Sequence, residues 1–96
     1  MTRYLVTWKA VNSRISGNPE ARRKQQIPFT EFVQQALKSG AMKDWGTAPD
    51  SMKGYAVIEG SESDLSSMEQ MYIPYFKFEE QVVLTADEFL KVLKKA

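Results

Sequence analysis

Two hydrophobic periodicities alternate along this chain, and their order restricts it to few folds. Residues 3–11, RYLVTWKAV, are rich in β-branched and aromatic types and read as a strand. Phe29, Phe32, Val33, Ala36 and Leu37 then recur at helical spacing and predict a helix, with Pro28 in its first turn and Gly40 as its stop. A helix running unbroken from Pro19 would instead carry Pro28 inside it as a kink. AMKDWGT (41–47) and KGYAVIE (53–59) read as two further strands around a turn at Thr47-Ala48-Pro49-Asp50-Ser51. Ser61 and Asp64 have capping-box spacing, and Leu65, Met68, Met71 and Tyr72 give the next helical stripe, stopped by Pro74. Tyr75 to Leu84 reads as a fourth strand. A second capping box, Thr85 and Glu88, opens a terminal helix striped by Ala86, Phe89, Leu90 and Leu93. Its last turns carry Lys91, Lys94 and Lys95, which complement the helix dipole.

The order β-α-β-β-α-β-α predicts one α+β domain over residues 1–96. Its architecture is a ferredoxin-like βαββαβ antiparallel sheet with two helices on one face and an extra C-terminal helix. Alternation assigns the strand faces. Tyr4, Val6, Trp8 and Ala10 are placed toward the helices because the opposite set, Arg3, Leu5, Thr7 and Lys9, carries two charges. On the third strand the small residues Gly54 and Ala56, with Ile58, suit helix packing, which turns Tyr55 and Val57 outward. Phe76 and Phe78 share one face of the last strand, with Lys77 and Glu79 on the other.

Helices on one side leave the other side of the sheet bare. That face carries Leu5, Tyr55 and Val57, flanked by Lys9 and Glu59, and an apolar patch of this kind calls for a cover. The expectation is a homodimer in which two sheets stack face to face as a dimeric α+β barrel. A small apolar or aromatic ligand would lie between the sheets, against Leu5, Thr7, Lys9, Trp45, Tyr55 and Val57. Trp8 reads as core, and Trp45 as either core or ligand wall.

Composition narrows the chemistry. The 96 residues contain no cysteine and no histidine, which removes disulfides, thiol catalysis, histidine-ligated metals and Ser-His-Asp triads. No metal site and no cofactor is expected. The acid–base groups left for the open face are Lys9, Asp44, Lys53, Tyr55 and Glu59. If the protein were a cofactor-independent isomerase or monooxygenase-like enzyme, Glu59 with Tyr55, on the same face of the third strand, would be its catalytic pair. A strand-end Glu59 in solvent, or in an ion pair with Arg3 or Lys9, is the plainer expectation. The N-terminal residues pass straight into a strand and no run is long enough to span a membrane, so a cytoplasmic protein without membrane contact is expected.

The segments VTWK (6–9), KDWG (43–46), GYAVIEG (54–60) and YIPYFKFE (72–79) are collinear with, and resemble, a family of small proteins classed as a domain of unknown function within the dimeric α+β-barrel superfamily. The resemblance spans nearly the whole chain except the basic stretch from Arg14 to Gln26. It implies the ferredoxin-like fold and barrel-type dimerisation, and no established activity. Glu80 stands where such proteins often have an apolar residue after the Phe-Glu of the last strand. Lys53-Gly54-Tyr55-Ala56-Val57-Ile58 also resembles the third-strand signature of RNA-recognition motifs. Val57 and Gly60 replace two of that signature's aromatics, and thirteen basic residues against twelve acidic ones leave a net charge of only +1. Nucleic acid is therefore not expected as a partner. Arg14, Arg22, Arg23 and Lys24 form the one basic cluster and read as a solvated helix turn.

Overall fold

In the computed structural model, residues 2–11, 18–73 and 75–95 are described; Arg14 of the basic cluster and Pro74 lie outside them. Strand β1 (Thr2–Ala10) is followed by helix α1 (Pro19–Ser39), strands β2 (Met42–Thr47) and β3 (Lys53–Gly60), helix α2 (Glu62–Gln70), strand β4 (Phe76–Val82) and helix α3 (Ala86–Lys95). The four strands form one antiparallel sheet in the order β2-β3-β1-β4. The chain is α+β with the ferredoxin-like arrangement that the alternating periodicities predict.

Helix α1 begins earlier than the apolar stripe alone suggests. The Asn18 side chain accepts hydrogen bonds from the Glu20 and Ala21 amides, at 2.9 and 3.1 Å, and Pro19 follows at the first helical position. With that start secured the helix continues through Pro28 to Ser39. Pro28 has no N–H for the Lys24 carbonyl, but both residues are exposed, so water can serve that group. Arg22, Arg23 and Lys24 sit on this first half, and Lys24 lies 4.0 Å from Glu20 one turn back. Gly40 closes the helix at φ +85°, a left-handed conformation that suits glycine.

Both predicted capping boxes form. Ser61 and Asp64 exchange two side chain–backbone hydrogen bonds of 3.1 Å each, and Thr85 and Glu88 do the same at 2.9 and 3.2 Å. These bonds hold the Asp64 and Glu88 carboxyls below the usual carboxylate range.

The core lies between the sheet and helices α1 and α2. It comprises Tyr4, Val6, Val33, Met42, Ala56, Ile58 and Leu65, with Ala36, Trp45, Met68 and Phe78 packed around them. Fully burying Val6 and Leu65 stabilises the fold by roughly 1.5–3 kcal/mol each. The faces of β1 and β3 are as alternation predicts. In β2 a bulge between Met42 and Asp44 inserts one residue, so Met42 and Trp45 reach the same helix-covered side despite odd spacing. On α2, Leu65 and Tyr72 are buried, whereas Met71 is half exposed and outside the packed stripe. Phe32 and Leu37 at the edge of α1 are also partly exposed.

Helix α3 stands apart. Among the described residues it makes no extensive contact with another helix or strand. Phe89, Leu90, Val92 and Leu93 are each about half exposed. The chain is correspondingly elongated, 54 × 24 × 23 Å. Among the described residues, no helix is long and apolar enough to cross a membrane.

Candidate functional site

The sheet has two faces of different character, and it divides the residues expected at a site between them. Leu5, Thr7, Lys9, Tyr55, Val57 and Glu59 lie on the open face. Trp45 lies on the helix-covered face, where its ring stacks on Trp8 with centroids 6.0 Å apart and planes 18° apart.

On the open face, register places Leu5 opposite Val57 and Thr7 opposite Tyr55. The Tyr55 ring lies over Gly46 and its hydroxyl donates to Asp44 Oδ2 at 3.0 Å. That hydrogen bond, then the Asp44 charge, raises the Tyr55 phenol above its ordinary range. Glu59 pairs with Arg3, and Lys43 approaches its other oxygen at 4.0 Å. A carboxylate between two cations is committed to an ion pair. Tyr55 lies four residues away, about 13 Å of strand. The two do not converge on one reacting atom. A shallow trough beside Tyr55 is bordered by Lys9, Lys53 and Lys77, which stand in one register row across β3, β1 and β4. Like charges directly opposite one another repel, so this end of the face is the least suited to burial.

On the helix side the sheet and helices border a half-open cavity of about 210 Å³. Its floor is Val6, Trp8, Trp45 and Ala56, with Phe76 and Phe78 along β4. Phe29 and Val33 of α1, and Met68 with Tyr72 from α2 and its C-terminal turn, form the roof. Gln26, Thr30, Thr47 and Ser51 supply the polar atoms around it. Among the described residues, no charged side chain lines it. The aromatic walls brace one another: Phe76 meets Trp8 edge-on at 5.2 Å, and Tyr72 meets Phe29 at 5.2 Å and Phe78 at 6.3 Å.

Behind the cavity surface, two polar atoms of residues that line it, the Trp8 indole Nε1 and the Tyr72 hydroxyl, are buried with no hydrogen-bond partner. Buried polar groups are nearly always satisfied, and leaving one unpaired costs about 1–3 kcal/mol. Tyr72 is 7% exposed, and burial pushes its phenol up, so it stays protonated at neutral pH. Close behind the roof, Glu69 of α2 is 8% exposed, with Glu80 of β4 as its neighbour. Burial first, and then Glu80, raises Glu69 to about 7.

Sequence reasoning placed Trp45 among ligand-contacting residues but assigned Trp8 to the core and gave Tyr72 and Phe29 no role beyond helical stripes. The usable signal was chemical: Trp8 and Tyr72 are large rings with polar handles on faces predicted to be buried. Among the described residues, no group of three or more acidic side chains is arranged to hold a metal ion. No family model and no curated protein matches the chain.

Proposed function

We propose that this domain binds a small, uncharged, largely apolar molecule in the cavity between its sheet and helices α1 and α2, and that it acts as a homodimer through the open face of the sheet. The observation that carries the ligand reading is the cavity itself: an apolar chamber with a few polar side chains, Gln26, Thr30, Thr47 and Ser51, at its edge is the usual composition of a ligand site. Core packing rarely tolerates voids larger than a water molecule, and a dry apolar cavity of about 150 Å³ can take up benzene. Binding is favoured over catalysis because, among the described residues, Tyr72 is the only titratable one in the walls, and its raised phenol is a poor base.

Toluene titrated into the ¹⁵N-labelled protein tests the reading. The amides of Val6, Ala56 and Met68 are expected to shift in a saturable way. Ala56→Met, which grows into the chamber from its floor, is expected to abolish the shifts with the fold retained. Unmoved amides at saturating toluene would remove the proposal.

The dimer reading rests on Leu5 and Val57, half-buried beside the exposed Tyr55 at the centre of the open face, with the Arg3–Glu59 pair and the lysine row as a charged rim. An apolar centre with a polar rim is the anatomy of a protein interface. Val57→Lys is expected to weaken self-association at least tenfold in sedimentation equilibrium, leaving the protomer folded. A wild-type chain that sediments as a monomer at all concentrations would refute it.

The RNA-binding alternative loses ground on the same face. Tyr4 and Trp8, the two aromatics of strand β1, both lie on the helix-covered side.

A further inference from the structure

We infer that helix α3 is a second self-association element, which pairs antiparallel with α3 of another copy of this chain. The inference goes beyond the open-face dimer and does not depend on it. Helix α3 spans ten residues, about 15 Å. A helix of that length is marginal in water unless its apolar side is packed. Among the described residues, however, α3 makes no extensive contact with its own sheet or helices. Ala86, Phe89, Leu90 and Leu93 share one side at helical spacing, and the last three are each about half exposed. Glu88, Lys91 and Lys95 fall on the opposite side. The tether is short. The Val83 amide donates to the Arg3 carbonyl at 3.0 Å, and Thr85 already caps α3, which leaves Leu84 alone between the two anchors. The stripe is thus carried off the end of the sheet, away from its own core.

The charges beside the stripe name its occupant. Asp87 and Lys94 are seven residues apart, two turns of helix, so they lie on the same flank at opposite ends. When two such helices pair antiparallel across a two-fold axis, this flank meets the same flank of the other copy in reverse order. Asp87 of each copy then faces Lys94 of the other, and the ion pair forms twice. Ala86 falls beside Leu93 of the other copy, small against large, and Leu90 packs near the axis. A parallel pair would set Asp87 and Lys94 against the flank that carries Phe89 and Val92, with no opposite charge to meet. Antiparallel pairing also opposes the two helix dipoles. Because both copies use the same patch, the contact closes at two chains.

Val57→Lys removes the open-face contact and provides the background for the test. In that background, sedimentation equilibrium is expected to show a concentration-dependent dimer held by α3. Adding Leu90→Lys should weaken it at least tenfold. The urea midpoint of dilute protein should stay unchanged, because α3 braces nothing in its own protomer. Asp87→Lys and Lys94→Asp, each in the same background, place like charges face to face and should weaken the dimer separately. Mixed in equal amounts they should associate again, since each chain then meets the opposite charge.

A Val57→Lys protein that is monomeric at every concentration would overturn the inference. So would a Leu90→Lys change that lowers the urea midpoint and leaves the mass alone, since α3 would then pack on its own protomer. Failure of the mixture to associate would overturn the antiparallel register. A wild-type dimer lost on Leu90→Lys but untouched by Val57→Lys would support the α3 contact and remove the open-face one.

Discussion

Gly54→Ala is expected to lower the stability of this domain by about 3 kcal/mol, a fall in the urea midpoint of about 2 M. Gly54 pairs with Trp8 on β1 and Thr47 on β2, in the middle of the sheet. A Cβ built on Gly54 would overlap the backbone carbonyl oxygen of Gly46 and the indole ring of Trp8. A side chain can rotate away from a new methyl group, but a carbonyl in the neighbouring strand of a ladder cannot move without straining its hydrogen bonds. The domain's net stability is on the order of 5–15 kcal/mol, so the loss is a large share of it. The Trp8 displacement also predicts a change in tryptophan emission and collapse of the cavity floor. Gly46→Ala is the control. There the added methyl meets only the ring of Tyr55 on the open face, so the expected cost is about 1 kcal/mol, with loss of the Tyr55–Asp44 hydrogen bond. A Gly54→Ala protein with the wild-type midpoint would show that β2 and β3 do not approach as closely as described.

Much of this architecture was legible because separate signals agreed at each element. The Ser61–Asp64 and Thr85–Glu88 spacings mark helix starts with a local hydrogen-bonding mechanism, and they need no tertiary context. Alternation sorted Tyr4, Val6, Ala56 and Ile58 from Leu5, Tyr55 and Val57 because one face of each strand is covered and the other is not. Three features were hidden for different reasons. The β2 bulge breaks alternation, so Met42 and Trp45 share a side that their numbering denies. The length of α1 depends on the Asn18 cap outweighing a proline nine residues into the helix. The cavity is hidden most deeply. Phe29, Tyr72, Phe76 and Phe78 are the same residues whether they fill a core or line a void, and the distance between helix and sheet decides which. Hence the open face could be read as the ligand surface while a half-open chamber lies on the reverse of the sheet.

The buried acid on α2 was visible as an anomaly in that helical stripe. Leu65, Met68, Glu69 and Tyr72 follow the spacing of one apolar face, and Glu69 occupies its third position. Glu80 likewise takes a position on the Phe76–Phe78 side of β4 where an apolar residue would fit. Two carboxyl groups thus meet where helix covers sheet, and among the described residues neither forms an ion pair. A proton on Glu69 relieves both the desolvation and the repulsion. The folded protein therefore holds that proton up to about pH 7, whereas an unfolded chain releases it near 4.5. Stability from this group is fully present below the unfolded value and is lost as pH rises through the folded one. Full linkage for a shift of this size is about 3 kcal/mol by pH 8, and solvent at the exposed Glu80 reduces the expected loss to about 2 kcal/mol. The capping carboxylates Asp64 and Glu88 act in the opposite sense, since their lowered values favour the folded state until acid protonates them. Wild-type stability should thus peak near pH 5 and decline on both sides. Glu69→Gln keeps the shape and removes the charge. It is expected to abolish the decline between pH 5 and 8, to leave the acid limb intact, and to be more stable than wild type at pH 8. Denaturant titrations at pH 5, 6.5 and 8 measure all three. A wild-type profile flat from pH 5 to 8 would mean that Glu69 ionises freely in the folded protein, with water reaching it between α2 and β4.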